Sequence, residues 1–161
     1  VEAGYLHDDL DVEIIADGVH LPAPLLKLIY KIKGPDRIAL ITDAMRGAGM
    51  PEGNSILGNK ETGLPVIIED GVAKLPDRSS FAGSVATADR LVRVMLNKAE
   101  VPMVEAIRMI THTPARIMKM EDKIGSLKVG MDADINIFDE NIQMIKTLLK
   151  GSIEINHENN N

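Results

Sequence analysis

Two short runs of apolar residues rich in Ile and Val lie near the amino terminus, at residues 11–16 and 37–42. Neither run keeps a strict apolar–polar alternation, which is typical of strands buried on both faces of a parallel sheet. The segment between them, residues 21–33, carries apolar side chains at helical spacing and is followed by a glycine and a proline. The pattern therefore predicts a strand–helix–strand unit with parallel strands.

A polar side chain capable of chemistry follows each predicted strand. His20 comes after the first strand, and Asp43 comes directly after the second. Because catalytic side chains lie at the carboxyl ends of parallel strands in barrels built of such units, these two residues are candidates for an active site. Asp43 could act as general base and general acid, could touch a metal, or could simply stabilise a turn. His20 could contact a phosphate or a sugar hydroxyl, could bind a metal, or could be structural.

The middle of the chain changes pattern several times. A stretch rich in glycine, residues 44–63, predicts a long loop, and residues 64–75 predict a β-hairpin turning at Asp70-Gly71. Apolar spacing then predicts helices near 85–99, 103–111 and 113–118, the first of them capped by Ser84 or Thr87. Residues 1–10 give no periodic pattern and indicate a loop or the end of an element.

Beyond residue 123 the pattern becomes one of short antiparallel strands, separated by turns. We expect Asp134 to act there as a turn-stabilising carboxylate. The pattern predicts an α/β fold with a main part at 1–123, a strand-rich part at 124–156 and a disordered tail at 157–161.

Composition excludes several classes of function. The 161 residues carry a formal net charge of −6, with acidic and basic side chains interspersed, which disfavours binding to nucleic acid or to an anionic membrane. No apolar run approaches the length of a membrane span, and we expect a cytoplasmic protein. There is no cysteine, and the four histidines form no close pair, so a metal site is not visible in the sequence.

Taken together, several motifs resemble the carboxyl-terminal part of the N-acetylglucosamine-6-phosphate deacetylases, a family of the amidohydrolase superfamily. The resemblance implies a (β/α)8 barrel with a small β-sandwich, of which this chain would supply the last two strand–helix units and part of the sandwich. It also implies homodimers, one or two divalent metals of the zinc or iron type, and removal of acetate from N-acetylglucosamine 6-phosphate. The motifs are Ile15-Ala-Asp-Gly-Val-His20, Leu40-Ile-Thr-Asp-Ala-Met45, Phe81-Ala-Gly-Ser84, Thr113-Pro-Ala-Arg116 and the stretch from Ile124 to Ile135.

The same resemblance assigns roles to individual residues. It implies that Asp43 is the catalytic aspartate and that His20 contacts the substrate. It further implies that Phe81, Ala82, Gly83 and Ser84 border the sugar. The family's principal metal ligands, a Glu and two His on earlier strands, have no counterpart here, and only Asp43 remains as a possible metal contact. A complete barrel needs roughly 250 residues. We therefore expect this chain to be a carboxyl-terminal piece that is inactive alone.

Two alternatives stay open at this point. The parent could be a different amidohydrolase that acts on a cyclic amide, since Asp43 and the Ala133-Asp134 pair would also fit that activity. The chain could instead be a non-catalytic assembly module, because open strand edges at 11–16 and 37–42 would favour self-association.

Overall fold

The computed structural model describes residues 1–156, which form short helices and three small sheets. None of the helices in this range is long and apolar enough to cross a membrane. The helices are α1 (Glu2–Leu6), α2 (Ala23–Lys33), α3 (Ala88–Asn97), α4 (Met103–Ile110) and α5 (His112–Ile117). The strands are β1 (Val12–Ile14), β2 (Ile38–Leu40), β3 (Gly53–Leu57), β4 (Leu64–Glu69), β5 (Val72–Lys74), β6 (Ile135–Phe138), β7 (Met144–Leu149) and β8 (Ser152–Asn156).

The predicted strand–helix–strand unit is confirmed. Strands β1 and β2 pair in parallel, with Val12 opposite Ile38 and Ile14 opposite Leu40, and α2 connects them. Every residue of β2 is buried, as the unbroken apolar run predicted. Helix α2 is followed by Gly34, whose φ of 68° and ψ of 170° form a backbone conformation that glycine adopts readily.

One hydrophobic core holds the helices against the parallel strands. Leu26 of α2, Leu91 and Met95 of α3, and Met109 of α4 are fully buried in it, as is Ile38 of β2. The segment between β6 and β7 joins the same core through Ile142, which is 2% exposed. The Arg93 guanidinium donates to the Ile142 carbonyl at 2.8 Å, so the strand-rich region is anchored to α3.

The expectation of a long loop over 44–63 was wrong in part. Residues 53–57 form β3, which pairs antiparallel with β4. Strand β4 also pairs with β5, and the turn between them has positive φ at Asp70 (53°) and Gly71 (71°). Two consecutive positive φ values are the geometry that an Asp-Gly hairpin turn requires, so the predicted hairpin is confirmed.

Other differences are local. Residues 2–6 form a short helix where no periodic pattern indicated one.

The carboxyl-terminal strands are confirmed as an antiparallel sheet in the order β6-β7-β8. Asp134 accepts a hydrogen bond from the Lys150 backbone N–H at 2.8 Å and so stabilises the β7–β8 turn, as expected. The prediction for residues 157–161 lies outside the described residues.

The amino-terminal ends of β1 and β2 are tied to α5 by charged groups. The Arg116 guanidinium donates to the Asp11 carboxylate at 2.6 Å and to the Asp36 carbonyl at 2.8 Å. Thr113, fully buried, donates its hydroxyl to the Pro35 carbonyl at 2.8 Å. The Thr113-Pro-Ala-Arg116 motif therefore acts at the end of the sheet opposite to His20 and Asp43, and its visible role is to stabilise the fold.

This contact predicts a pH dependence of stability. Hydrogen bonding to Arg116, the largest influence, holds the pKa of Asp11 below its ordinary value, and Arg37 adds to the effect. A carboxyl group whose pKa is lowered by folding stabilises the protein above its unfolded pKa and loses that contribution as pH falls through the folded pKa. The free energy of unfolding should therefore fall less steeply below about pH 4 in Asp11→Asn than in the wild type.

Urea unfolding at a series of pH values measures the free energy of unfolding of both proteins. At neutral pH we expect Asp11→Asn to be less stable than the wild type by about 1 kcal/mol, because the Asp11–Arg116 pair is partly exposed. Arg116→Gln removes the guanidinium that has the largest influence on Asp11. It should likewise make the free energy of unfolding fall less steeply as the pH is lowered. Parallel curves for all three proteins would show that the Asp11–Arg116 contact contributes nothing.

Candidate active site

The loop that follows β1 is organised by the carboxylate of Asp17. One of its oxygens, Oδ1, accepts hydrogen bonds from the backbone N–H groups of Val19 and His20, both at 2.9 Å. The other oxygen, Oδ2, lies 2.8 Å from Nδ1 of the His20 ring. Gly18 takes a φ of 81°, which lets the chain turn tightly enough for all three contacts. A short Asp-Gly-Val-His sequence thus orients its own histidine.

The electrostatics of Asp17 follow from these contacts. Burial, the largest single influence, would by itself raise the pKa of this carboxyl, because the residue is only 2% exposed. The hydrogen bonds from the two backbone N–H groups and from the His20 ring together outweigh burial, and they hold the pKa below its ordinary value. The side chain is therefore ionised at neutral pH and accepts hydrogen bonds only.

The loop that follows β1 and carries His20 is also held by a side chain of α3. The Arg90 side chain donates through Nε to the Asp17 carbonyl at 3.1 Å and through a terminal nitrogen to the Gly71 carbonyl at 3.0 Å. One guanidinium thereby joins the loop after β1 to the β4–β5 turn. This linkage fixes the position of the loop relative to the second sheet.

Asp43 lies three residues beyond the end of β2, in an exposed position. Its φ is +48°, a left-handed conformation that aspartate tolerates better than most residues. The backbone beside it is fixed by Ser84, whose N–H donates to the Asp43 carbonyl at 2.9 Å. The Ser84 carbonyl in turn accepts from the Met45 N–H at 2.8 Å. The turn that carries the carboxylate is thus anchored on both sides.

The segment 81–84 contacts both candidate residues. The Phe81 ring lies 4.9 Å from the His20 ring, centroid to centroid, at an interplanar angle of 58°. At the other end of the segment, a Cβ atom placed on Gly83 would lie 3.4 Å from the Asp43 carbonyl oxygen and 3.9 Å from its Oδ2. His20 and Asp43 are therefore brought to one region of the molecule by the segment that touches each of them.

Within this segment the structure distinguishes accessible from inaccessible side chains. Phe81 is 45% exposed, whereas Ala82 is 6% and Ser84 is 0% exposed. The Ser84 hydroxyl oxygen accepts from the Ala86 N–H at 2.8 Å, so it stabilises the approach to α3. Of the two residues predicted to cap α3, Thr87 occupies the N-cap position, without a capping side-chain hydrogen bond, and Ser84 does not.

A cleft adjoins Phe81 on the side of the second sheet and is lined by Lys74, Arg78, Ser79 and Ser80. Its two cations are already paired. Lys74 contacts Asp70 at 2.6 Å, and Arg78 contacts the Glu69 carboxylate at 2.8 Å. The cleft therefore offers hydroxyl groups and neutralised charge beside the aromatic ring.

Across residues 1–156, no three His, Cys, Asp or Glu side chains come close enough together to hold a metal ion. A catalytic zinc takes three protein ligands as a rule, so these residues do not by themselves fit a metal centre. His112 lies elsewhere, 3.4 Å from the Ser126 hydroxyl through its Nδ1.

Comparison with known proteins places this site in context. A family model described as "Amidohydrolase family" matches residues 2–158. An N-acetylglucosamine-6-phosphate deacetylase of Lysinibacillus sphaericus is 36% identical over 154 residues, 96% of this chain and 38% of that protein. The chain thus spans less than two fifths of that relative's length.

A shorter relative matches over most of its own length. This Escherichia coli K12 protein, with the provisional name N-acetylgalactosamine-6-phosphate deacetylase, is 33% identical over 153 residues, 95% of this chain and 88% of that protein. Among solved structures, an N-acetylglucosamine-6-phosphate deacetylase of Thermotoga maritima superposes with a TM-score of 0.85 at 30% identity. The superposition covers 96% of this chain and 41% of the Thermotoga maritima chain. The resemblance predicted from the motifs is confirmed.

Proposed function

The chain belongs to the amidohydrolase family, and from that premise we propose that it supplies Asp43 and His20 to the active site of an N-acetylglucosamine-6-phosphate deacetylase. The reaction is hydrolysis of the acetamide to acetate and glucosamine 6-phosphate. One observation carries the proposal: the segment 81–84 touches the His20 ring at one end and approaches the Asp43 carboxylate at the other. That segment is one of the motifs on which the resemblance to the deacetylases rests.

The chemistry asked of Asp43 suits its position. It lies three residues beyond a buried strand and is exposed, so its carboxylate is accessible to a bound molecule. As a base it would take the proton of the attacking water, and as an acid it would return that proton to the leaving amine. Amidohydrolases generally use a divalent metal, but the described side chains alone do not form a site for one. The roles proposed here are therefore those of this chain's own groups.

His20 and the segment 81–84 would bind the sugar. The ring of His20 offers its second nitrogen, Nε2, to a hydroxyl or a phosphate oxygen. Phe81 and Gly83 would border the sugar, one with a partly exposed ring and the other with bare backbone. For Ala82 and Ser84, burial points to a supporting role rather than direct side-chain contact.

A second substrate has specific support. The shorter Escherichia coli relative is named for N-acetylgalactosamine 6-phosphate, the epimer of the first substrate at one hydroxyl, and its identity to this chain is only slightly lower. Discrimination between epimers depends on hydrogen bonds to that hydroxyl, and a site built to pair with one epimer leaves a polar group unpaired with the other. The two sugars are therefore the first pair to compare.

The proposal is tested by measuring acetate release from the two phosphorylated sugars and from unphosphorylated N-acetylglucosamine, and ring opening of a cyclic amide such as dihydroorotate. We expect turnover of a phosphorylated acetyl sugar by the protein that contains this chain, supplied with zinc or iron. Turnover of the cyclic amide alone would favour a different amidohydrolase. Absence of turnover on every substrate, with a defined homo-oligomer in solution, would favour an assembly module built on the open edges of β1 and β2.

A further inference from the structure

We propose that Asp17 is a positioning residue, which fixes the His20 ring proton at Nδ1 and leaves Nε2 as the nitrogen that meets a bound molecule. The value of this arrangement to catalysis depends on the proposed function. The arrangement itself depends only on the loop geometry. Sequence patterns singled out His20 and passed over Asp17.

The first step concerns the two oxygens of Asp17. Oδ1 already accepts from two backbone N–H groups, those of Val19 and His20, so Oδ2 remains for the ring. The Asp17 side chain has no exposed surface, and water does not compete for this oxygen. An ionised carboxylate has no proton to donate, and the ring nitrogen at 2.8 Å must therefore be the donor. The proton lies on Nδ1 whether the ring is neutral or charged.

The second step concerns the opposite nitrogen. Within residues 1–156, Nε2 of His20 has no hydrogen-bond partner, and this atom is not buried. It is therefore open to solvent, although only 16% of the side-chain surface is exposed. With Asp17 on one side and the Phe81 ring packed beside it, the imidazole has little freedom to rotate. The accessible nitrogen is held in one direction.

The third step is chemical. With the proton fixed on Nδ1, a neutral ring accepts a hydrogen bond at Nε2, for example from a sugar hydroxyl. A protonated ring donates from Nε2, for example to a carbonyl or phosphate oxygen. A histidine without such an orienting carboxylate can exchange its tautomers and flip its ring, and would present either atom. Asp17 thus makes recognition at His20 specific.

The variant Asp17→Asn separates this role from a merely structural one. The amide oxygen can still accept from the two backbone N–H groups. The opposite orientation of the amide is unfavourable, because it would place the NH₂ group against both of these donors. The NH₂ therefore takes the place of Oδ2 and donates to Nδ1, which must then be unprotonated. In the neutral ring the proton moves to Nε2, while the loop keeps its backbone hydrogen bonds.

Nitrogen-15 NMR of the neutral His20 ring in the 161-residue chain measures the tautomer directly. We expect the Nδ1–H form in the wild type and the Nε2–H form in Asp17→Asn. The variant Asp139→Asn is a matched control, because Asp139 also accepts from two backbone N–H groups but has no histidine partner. It should leave the His20 tautomer unchanged.

A wild-type ring in the Nε2–H form overturns the proposal, and so does an unchanged tautomer in a folded Asp17→Asn protein. Neither result depends on turnover, so failure of the proposed function would leave this measurement intact. Where turnover is present, we expect Asp17→Asn to lower kcat/KM by about tenfold or more, because the neutral wild-type ring can accept from a sugar hydroxyl at Nε2 and the reversed tautomer presents a donor there. If Asp17→Asn has the reversed tautomer and keeps the kcat/KM of the wild type, Asp17 has no role in the reaction.

Discussion

The substitution Asp43→Asn should lower kcat for acetate release by about 10²- to 10⁴-fold, the range that a positioned general acid–base group contributes. The amide is nearly isosteric with the carboxylate and cannot take a proton from water at neutral pH. Asparagine also tolerates the left-handed backbone that residue 43 adopts, with a φ of +48°, so the fold should survive. KM should change far less than kcat, because binding of the sugar is assigned to His20 and to the segment 81–84.

Asp70→Asn is the matched control for this experiment. Asp70 is also an exposed aspartate in a left-handed conformation, with a φ of 53°, but it lies in the β4–β5 turn and contacts Lys74. The same chemical change at the same kind of backbone position should leave kcat within about twofold of the wild type. Equal losses in both variants, or an undiminished rate in Asp43→Asn, would remove the catalytic role from Asp43.

The substitution Gly125→Ala should be among the most destabilising in the chain, at about 2–5 kcal/mol. Gly125 has a φ of +88°, and a Cβ atom there would lie 2.8 Å from the Ala115 Cβ, 2.9 Å from the Thr111 carbonyl oxygen and 3.1 Å from the His112 Cα. Two of these atoms belong to the backbone and cannot move aside cheaply. The glycine lets the Ile124-Gly-Ser stretch pack directly on α5, whose Arg116 ties the base of the sheet.

Gly130→Ala isolates the steric part of this effect. Gly130 has a φ of +92° and no atom within 4 Å of the site that a Cβ would occupy. It should therefore show only the conformational cost of a left-handed alanine, about 1–2 kcal/mol. Urea unfolding of both variants measures the difference. Equal losses of stability would mean that the close approach of Gly125 to α5 carries no weight.

The elements that could be predicted from the sequence are those whose pattern is local and strong. The unbroken apolar run of β2, the helical spacing of α2 and the Asp-Gly turn at Asp70 each reflect short-range geometry, and each matches the structure. The positions of His20 and Asp43 at the ends of parallel strands followed from the same rule. Their contact with the segment 81–84 is long-range, and only the family resemblance indicated it.

The features that were missed depend on partners distant in sequence or on single hydrogen bonds. Strand β3 begins with Gly53 and Asn54, which are poor strand formers, and it exists because β4 pairs with it. Asp17 gave a weak local indication, because an Asp-Gly pair favours an Asx turn, in which the aspartate side chain accepts from the backbone N–H two residues on. Its significance became visible only with the ring nitrogen at 2.8 Å.

The central claim is that His20, Asp43 and the segment 81–84 form one binding site for a phosphorylated acetyl sugar. A crystal structure of the Asp43→Asn protein soaked with N-acetylglucosamine 6-phosphate tests it most directly. We predict that the sugar lies against Phe81 and Gly83, with Nε2 of His20 in hydrogen-bond contact and the acetamide beside residue 43. A sugar bound elsewhere, for example in the cleft lined by Arg46 and Lys60, with His20 and residue 43 untouched, would contradict the account.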